Sequence, residues 1–135
     1  MRTRVRVPLG IVFSDPTIAT IGKRFAELDA SRAIVGQARF PNQGRARIEQ
    51  RNGGILRVYA DQHSGLLLGA ELCAPAGEHL AHVLALAIER SLSASVLLRM
   101  PSYHPVFEEG LRTALRRISA QLSAPADSDL SRLAR

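Results

Sequence analysis

A chain of 135 residues, 46% of them hydrophobic, is long enough for one domain with its own core, and with 4% aromatics and no Trp that core must come from Leu, Ile, Val and Ala. The net charge of +6 rests mostly on scattered arginines (Arg2, Arg4, Arg6, Arg45, Arg47, Arg51, Arg112, Arg116, Arg117) with no dense run and no stacking platform, which argues against nucleic-acid binding. The single Cys73 excludes an internal disulfide framework and an intrachain dithiol pair; apolar stretches broken by charge short of a membrane span, and no cleavable apolar leader, imply a cytoplasmic chain without a membrane partner.

Residues 1–8 alternate charged and apolar side chains and read as an extended arm or linker. The β-branched run 10–14 predicts a strand. Asp15-Pro16 then signals a turn or short helix through Ile21, ended by Gly22, and 23–28 suits a strand or short helix. Residues 31–40 read as a strand, Pro41-Asn42 breaks it, and 42–51 reads weakly as a short helix. Asn52-Gly53-Gly54 marks a turn. The apolar runs 55–61 and 66–73 flank Gln62-His63-Ser64-Gly65 and form the strongest local signal, a β-hairpin, with Gly69 marking a bulge or a close backbone approach. A helix follows from Pro75–Glu78 to about Arg90, with Leu80, Val83, Leu84, Ala87 and Ile88 as its apolar stripe. Ser93 caps a short helix to Leu98, and Pro101 stops it. The last helix runs from near Pro105 to about Leu122, burying Leu111, Ala114, Leu115, Ile118 and Leu122 and exposing Arg112, Arg116 and Arg117. Strands first and helices after predict an α+β domain, an antiparallel sheet with helices packed on it, over residues 9–122, followed by a disordered tail over 123–135. In so small a domain an exposed sheet face favours pairing with a second copy.

His104 is the leading candidate for chemistry. Pro105 fixes φ at a helix start and pushes His104 out of the α region, and the bond between them is a candidate for cis. Glu109 falls in the second helical turn and can fold back on the imidazole, fixing its tautomer and raising its basicity as an acid/base pair; Glu108 competes for that role. A helix-capping histidine with solvated glutamates fits the same spacing. Glu78, His79 and His82 do not follow the order of a metalloprotease helix and lack a further ligand, so they read as surface residues; His63 reads as a solvated loop residue and Cys73 as a buried small hydrophobe. There is no glycine-rich phosphate cradle and no nucleophile elbow.

Four stretches in order resemble the C-terminal dimerisation (interface) domain of the pyridine nucleotide–disulfide oxidoreductases, a family that includes dihydrolipoamide dehydrogenase, glutathione reductase and mercuric reductase. GIVFSDPTIATIG (10–22) is similar to its opening strand and turn, DQHSGLLLGAELC (61–73) to its hairpin, AGEHLAHVLALAIE (76–89) to the helix after it, and MPSYHPVFEEGLRTAL (100–115) to its closing His-Pro signature. The resemblance implies that His104, held by Glu109, serves as acid/base in the partner subunit's active site of a homodimer, with Pro105 and the His104 backbone near the partner's flavin. It also implies FAD and NAD(P) in the full-length enzyme and neither in this chain, which alone is expected to be inactive. Val106 stands where the family usually has Thr, 23–31 is shorter than in many relatives, and the nucleotide-binding domains and CxxxxC pair are absent, so the chain reads as a piece of a longer enzyme. A stand-alone protein-interaction or anion-binding module with the same fold is the alternative, supported by the +6 charge.

Overall fold

The computed structural model describes residues 5–123; residues 1–4 of the expected arm and the expected tail beyond Ser123 lie outside them. Five strands, β1 (Leu9–Val12), β2 (Thr17–Gly22), β3 (Ala33–Arg39), β4 (Ile55–Asp61) and β5 (Leu67–Ala74), form one antiparallel sheet in the order β1-β2-β5-β4-β3. Four helices, α1 (Gly44–Ile48), α2 (Gly77–Glu89), α3 (Ala94–Leu98) and α4 (Glu108–Ser123), complete the α+β domain. No helix among the described residues is long and apolar enough to cross a membrane.

The expected turn or helix after Asp15-Pro16 is instead strand β2. Thr17, Ala19 and Ile21 point inward and are buried, while Ile18 and Thr20 face outward. That period of two lets β2 pair on both sides, with β1 and β5, and outweighs the helix-start signal of the proline. Residues 23–28 hold only a short 3-10 helix, Phe25–Glu27. The hairpin forms as the sequence predicts. Gly69 is a close approach: an added Cβ would collide with the Lys23 backbone, and the bulge lies instead between Tyr59 and Ala60.

One face of the sheet is the core. Ile21, Ala70, Val58 and Gly36 lie side by side across four strands. Helix α2 covers the β2–β5 half, and α4 covers the β4–β3 half. Gly36 lets α4 sit directly on the sheet, since a Cβ there would run into the Ala114 carbonyl and lie 2.7 Å from Ile118 Cγ1. Leu111, Ala114, Leu115 and Ile118 are fully buried beneath that helix, as its periodicity implies. On the opposite face Tyr59 is covered by Phe25, with ring centroids 5.8 Å apart, and its hydroxyl donates to Glu71 Oε2 at 2.6 Å. Burial, and then that glutamate, pushes the Tyr59 phenol well above its ordinary range. At the β3 edge of the sheet, Arg117 Nη1 donates to the Gln37 carbonyl (2.6 Å) and Gln121 Nε2 to the Val35 carbonyl (3.0 Å).

Candidate functional site

The His104 turn is held between α1, α3 and α4. Helix α3 is capped as the sequence predicts, with the Ser93 hydroxyl accepting from Val96 N–H at 3.2 Å. Helix α4 starts at Glu108, three residues later than expected from Pro105. The reason is local: Val106 N–H donates to Glu109 Oε2 at 3.1 Å, so Glu109 folds back over the helix start as a carboxylate cap and residues 104–107 remain a turn. The His104–Pro105 peptide is cis, as is Asp15–Pro16.

Two residues that the sequence reading missed fix this turn. Gln43 is buried and works with both ends of its amide: Oε1 accepts from Ala46 N–H (2.7 Å) at the start of α1, and Nε2 donates to the Val106 carbonyl (2.6 Å). Gly110 lets the first turn of α4 rest on buried Phe40, whose Cζ would lie 2.8 Å from an added Cβ. Arg112 departs from the expectation of an exposed arginine. It is half-buried, and its Nη1 donates to the carbonyls of Leu98 (2.9 Å) and Met100 (3.4 Å), tying α4 to the segment leading into His104.

The imidazole and carboxylate predicted as a pair do meet. His104 Nδ1 lies 2.8 Å from Glu109 Oε1. The His104 hydrogen bond, then the Val106 N–H, and to a smaller degree the Arg112 charge, hold Glu109 below the ordinary carboxylate range, so it is an acceptor at neutral pH. Nδ1 must then carry the proton, and Nε2 is left as the basic nitrogen. The imidazole is 78% exposed while its carboxylate is 32% exposed: the less exposed end orients and the open end is available for proton transfer. Glu108, the rival partner, makes no bond to the ring. A cavity of about 470 Å³ opens beside the pair, and Tyr103, 85% exposed, stands at its edge.

The remaining candidates stay apart from this site. His79 Nε2 is 3.5 Å from Glu78 Oε1, and His82 Nδ1 meets only the Glu78 main-chain carbonyl at 2.6 Å; both histidines are exposed. Among the described residues no group of three or more His, Cys, Asp or Glu could hold a metal ion. His63 is exposed in the hairpin loop, where its N–H donates to Asp61. Cys73 is half-buried, not fully buried as expected, with Sγ 4.0 Å from the Pro16 carbonyl.

The same segments carry similarity to known proteins. The profile of the pyridine nucleotide-disulphide oxidoreductase dimerisation domain matches residues 9–115. Dihydrolipoyl dehydrogenase of Haloferax volcanii is 35% identical over 114 residues, covering 82% of this chain and 24% of that protein. Mitochondrial dihydrolipoyl dehydrogenase 1 of Arabidopsis thaliana is 30% identical over 111 residues, covering 81% of this chain and 22% of that protein. The chain thus spans about a quarter of the length of the curated relatives it matches. In fold it is similar to the crystal structure of LpdA from Mycobacterium tuberculosis, with a TM-score of 0.79 at 22% identity, covering 87% of this chain and 26% of that one.

Proposed function

The chain belongs to the pyridine nucleotide-disulphide oxidoreductase dimerisation-domain family, and from that premise we propose that its His104–Glu109 pair completes the active site of a partner subunit in an FAD-dependent, NAD(P)-linked disulfide oxidoreductase of the dihydrolipoamide dehydrogenase kind. The observation that carries the proposal is the 2.8 Å contact between His104 Nδ1 and Glu109 Oε1 on an otherwise exposed imidazole. An acid/base this well oriented, in a chain whose single cysteine cannot form a dithiol pair, needs its reacting thiols from elsewhere.

In this reading Nε2 of His104 takes the proton from a thiol of the dithiol substrate, and the thiolate attacks a disulfide sulfur in the partner's site. Glu109 accepts the Nδ1 proton in a hydrogen bond throughout, which steadies the imidazolium after transfer. The proton returns from Nε2 when a thiolate leaves.

The described residues do not form a dinucleotide cradle. The sheet is antiparallel throughout and so lacks the parallel strand-helix-strand unit whose first turn cradles a dinucleotide. In this reading FAD and NAD(P), which would carry the electrons, are held by other domains of a longer protein, and Pro105 lies toward the partner's flavin. A homodimer suits the exposed apolar side chains near the site. Leu86 and Val96, 63% and 39% exposed, flank a groove of about 440 Å³ that shares Arg99 and Met100 with the His104 cavity. A cytoplasmic setting, where thiols stay reduced, fits the same chemistry.

The test is turnover of the full-length enzyme. His104→Gln should lower the thiol–disulfide half-reaction by roughly 10²–10⁴-fold at unchanged flavin content. Undiminished turnover would remove the pair from the mechanism.

A further inference from the structure

The cavity beside His104 is cationic in a way that proton transfer does not require. Three arginines, Arg99, Arg112 and Arg116, line it together with Ser102 and Tyr103. The one carboxylate in its wall is Glu109, and both of its oxygens are occupied, by His104 Nδ1 and Val106 N–H. Arg112 spends Nη1 on two main-chain carbonyls. Arg99 and Arg116 are different. They are exposed, they come from the end of α3 and the middle of α4, and among the described residues neither makes an ion pair. Some surface arginines are paired, Arg45 with Glu49 and Arg51 with Asp15, while Arg39, Arg47 and Arg90 are exposed without an ion pair among the described residues; what sets Arg99 and Arg116 apart is that they share the wall of one cavity with Arg112.

Three arginines around a concave surface outnumber its one carboxylate, Glu109, and an incoming anion relieves the remaining repulsion among them. Guanidinium forks match the planar oxygens of a carboxylate or phosphate. We infer that the cavity recognises an oxyanionic group carried by the dithiol or disulfide substrate on which His104 acts, with Arg99 and Arg116 as its contacts and Arg112 as a positioning residue. The attachment of that anion to a thiol substrate rests on the acid/base reading of His104; the anion site itself does not.

The 135-residue chain is titrated at fixed ionic strength with reduced lipoate, with reduced lipoamide, and with inorganic phosphate. The two dithiols differ only in carboxylate against carboxamide. NMR signals of the Arg99 and Arg116 guanidiniums and the His104 imidazole report binding. Reduced lipoate should shift all three saturably and bind about tenfold more tightly than reduced lipoamide, ~1.4 kcal/mol. Phosphate should compete with it. Arg99→Gln with Arg116→Gln should bring the two dithiols to parity, and Arg45→Gln should leave the preference intact. Equal binding of the two dithiols to the unmodified chain overturns the inference, and phosphate saturating the same signals in that case marks a free-oxyanion site instead. Absence of any saturable shift overturns it as well. The acid/base reading fails separately, by full turnover of the His104→Gln enzyme, and that outcome leaves a measured lipoate preference standing.

Discussion

Two helix starts on the same face of the sheet each carry glutamate and histidine, and they end in different chemistry. At α2, His82 gives its Nδ1 proton to the Glu78 main chain, His79 stays 3.5 Å from the Glu78 carboxylate, and that carboxylate takes the Thr17 hydroxyl at 3.2 Å. At α4, the histidine lies outside the helix, and a turn carries its ring back across the helix start to Glu109. Histidines within a helix are adjacent to their glutamate or captured by its carbonyl. A histidine ahead of the helix can present a ring edge to a carboxylate that is itself fixed by a backbone N–H. Composition at the two sites is nearly the same; the connection that precedes each helix separates them.

The largest effect expected from breaking this contrast comes from the glycines that seat the two helices. Gly110→Ala pushes α4 off Phe40, and Gly77→Ala pushes α2 off Leu72 and Thr17. Each should cost roughly 1–3 kcal/mol in urea unfolding. Only Gly110→Ala should also move the His104 imidazole signals, and equal movement by both would dissolve the distinction. Gln43→Ala comes next, at about 1–2 kcal/mol, because it removes the α1 cap and leaves the Val106 carbonyl without its donor. The His104 signals should broaden in that variant; a sharp, unshifted ring would show that the turn holds without Gln43.

Acid separates the two glutamates less, and the sign can be worked out. Glu109 and Glu78 are both held below the ordinary carboxylate range, Glu109 first by His104 and Glu78 first by its own backbone N–H. A carboxylate depressed in the folded state adds stability above its unfolded pKa and loses it as pH falls through the folded value. Thermal midpoints of the unmodified chain should therefore fall below about pH 4, and those of Glu109→Gln and Glu78→Gln should converge on it there. Only Glu109→Gln should erase the hydrogen-bonded Nδ1 proton of His104, read by NMR at neutral pH. The smallest effect belongs to His79→Gln and His82→Gln, each within about 0.5 kcal/mol of the parent by urea unfolding. A larger loss would mean that the α2 histidines do more than cover a surface.

The hairpin, the four helices and the His104–Glu109 pair were legible in the sequence because each is encoded within a short window. Strand β2 was not, because Asp15-Pro16 is a strong local signal for a helix start while the inward alternation of Thr17, Ala19 and Ile21 gains meaning only between two neighbouring strands. Gln43 escaped notice for the same reason at longer range: its partner carbonyl lies 63 residues away. Arg112 and Arg116 looked like solvated charges, and Arg99 drew no reading at all, until the packing of α3 against α4 gathered them on one cavity. Local chemistry announces itself in sequence, whereas walls assembled from separate helices do not.

The two side chains that reach from α4 to β3 have a consequence for assembly. An edge strand with open carbonyls is a template on which another chain can polymerise. Arg117 and Gln121 occupy the Gln37 and Val35 carbonyls, so backbone-to-backbone accretion at that margin would first have to displace a guanidinium and an amide. Runaway fibril growth is thereby discouraged along β3, and copies of the chain are steered to associate through side-chain surfaces, where complementarity can limit their number.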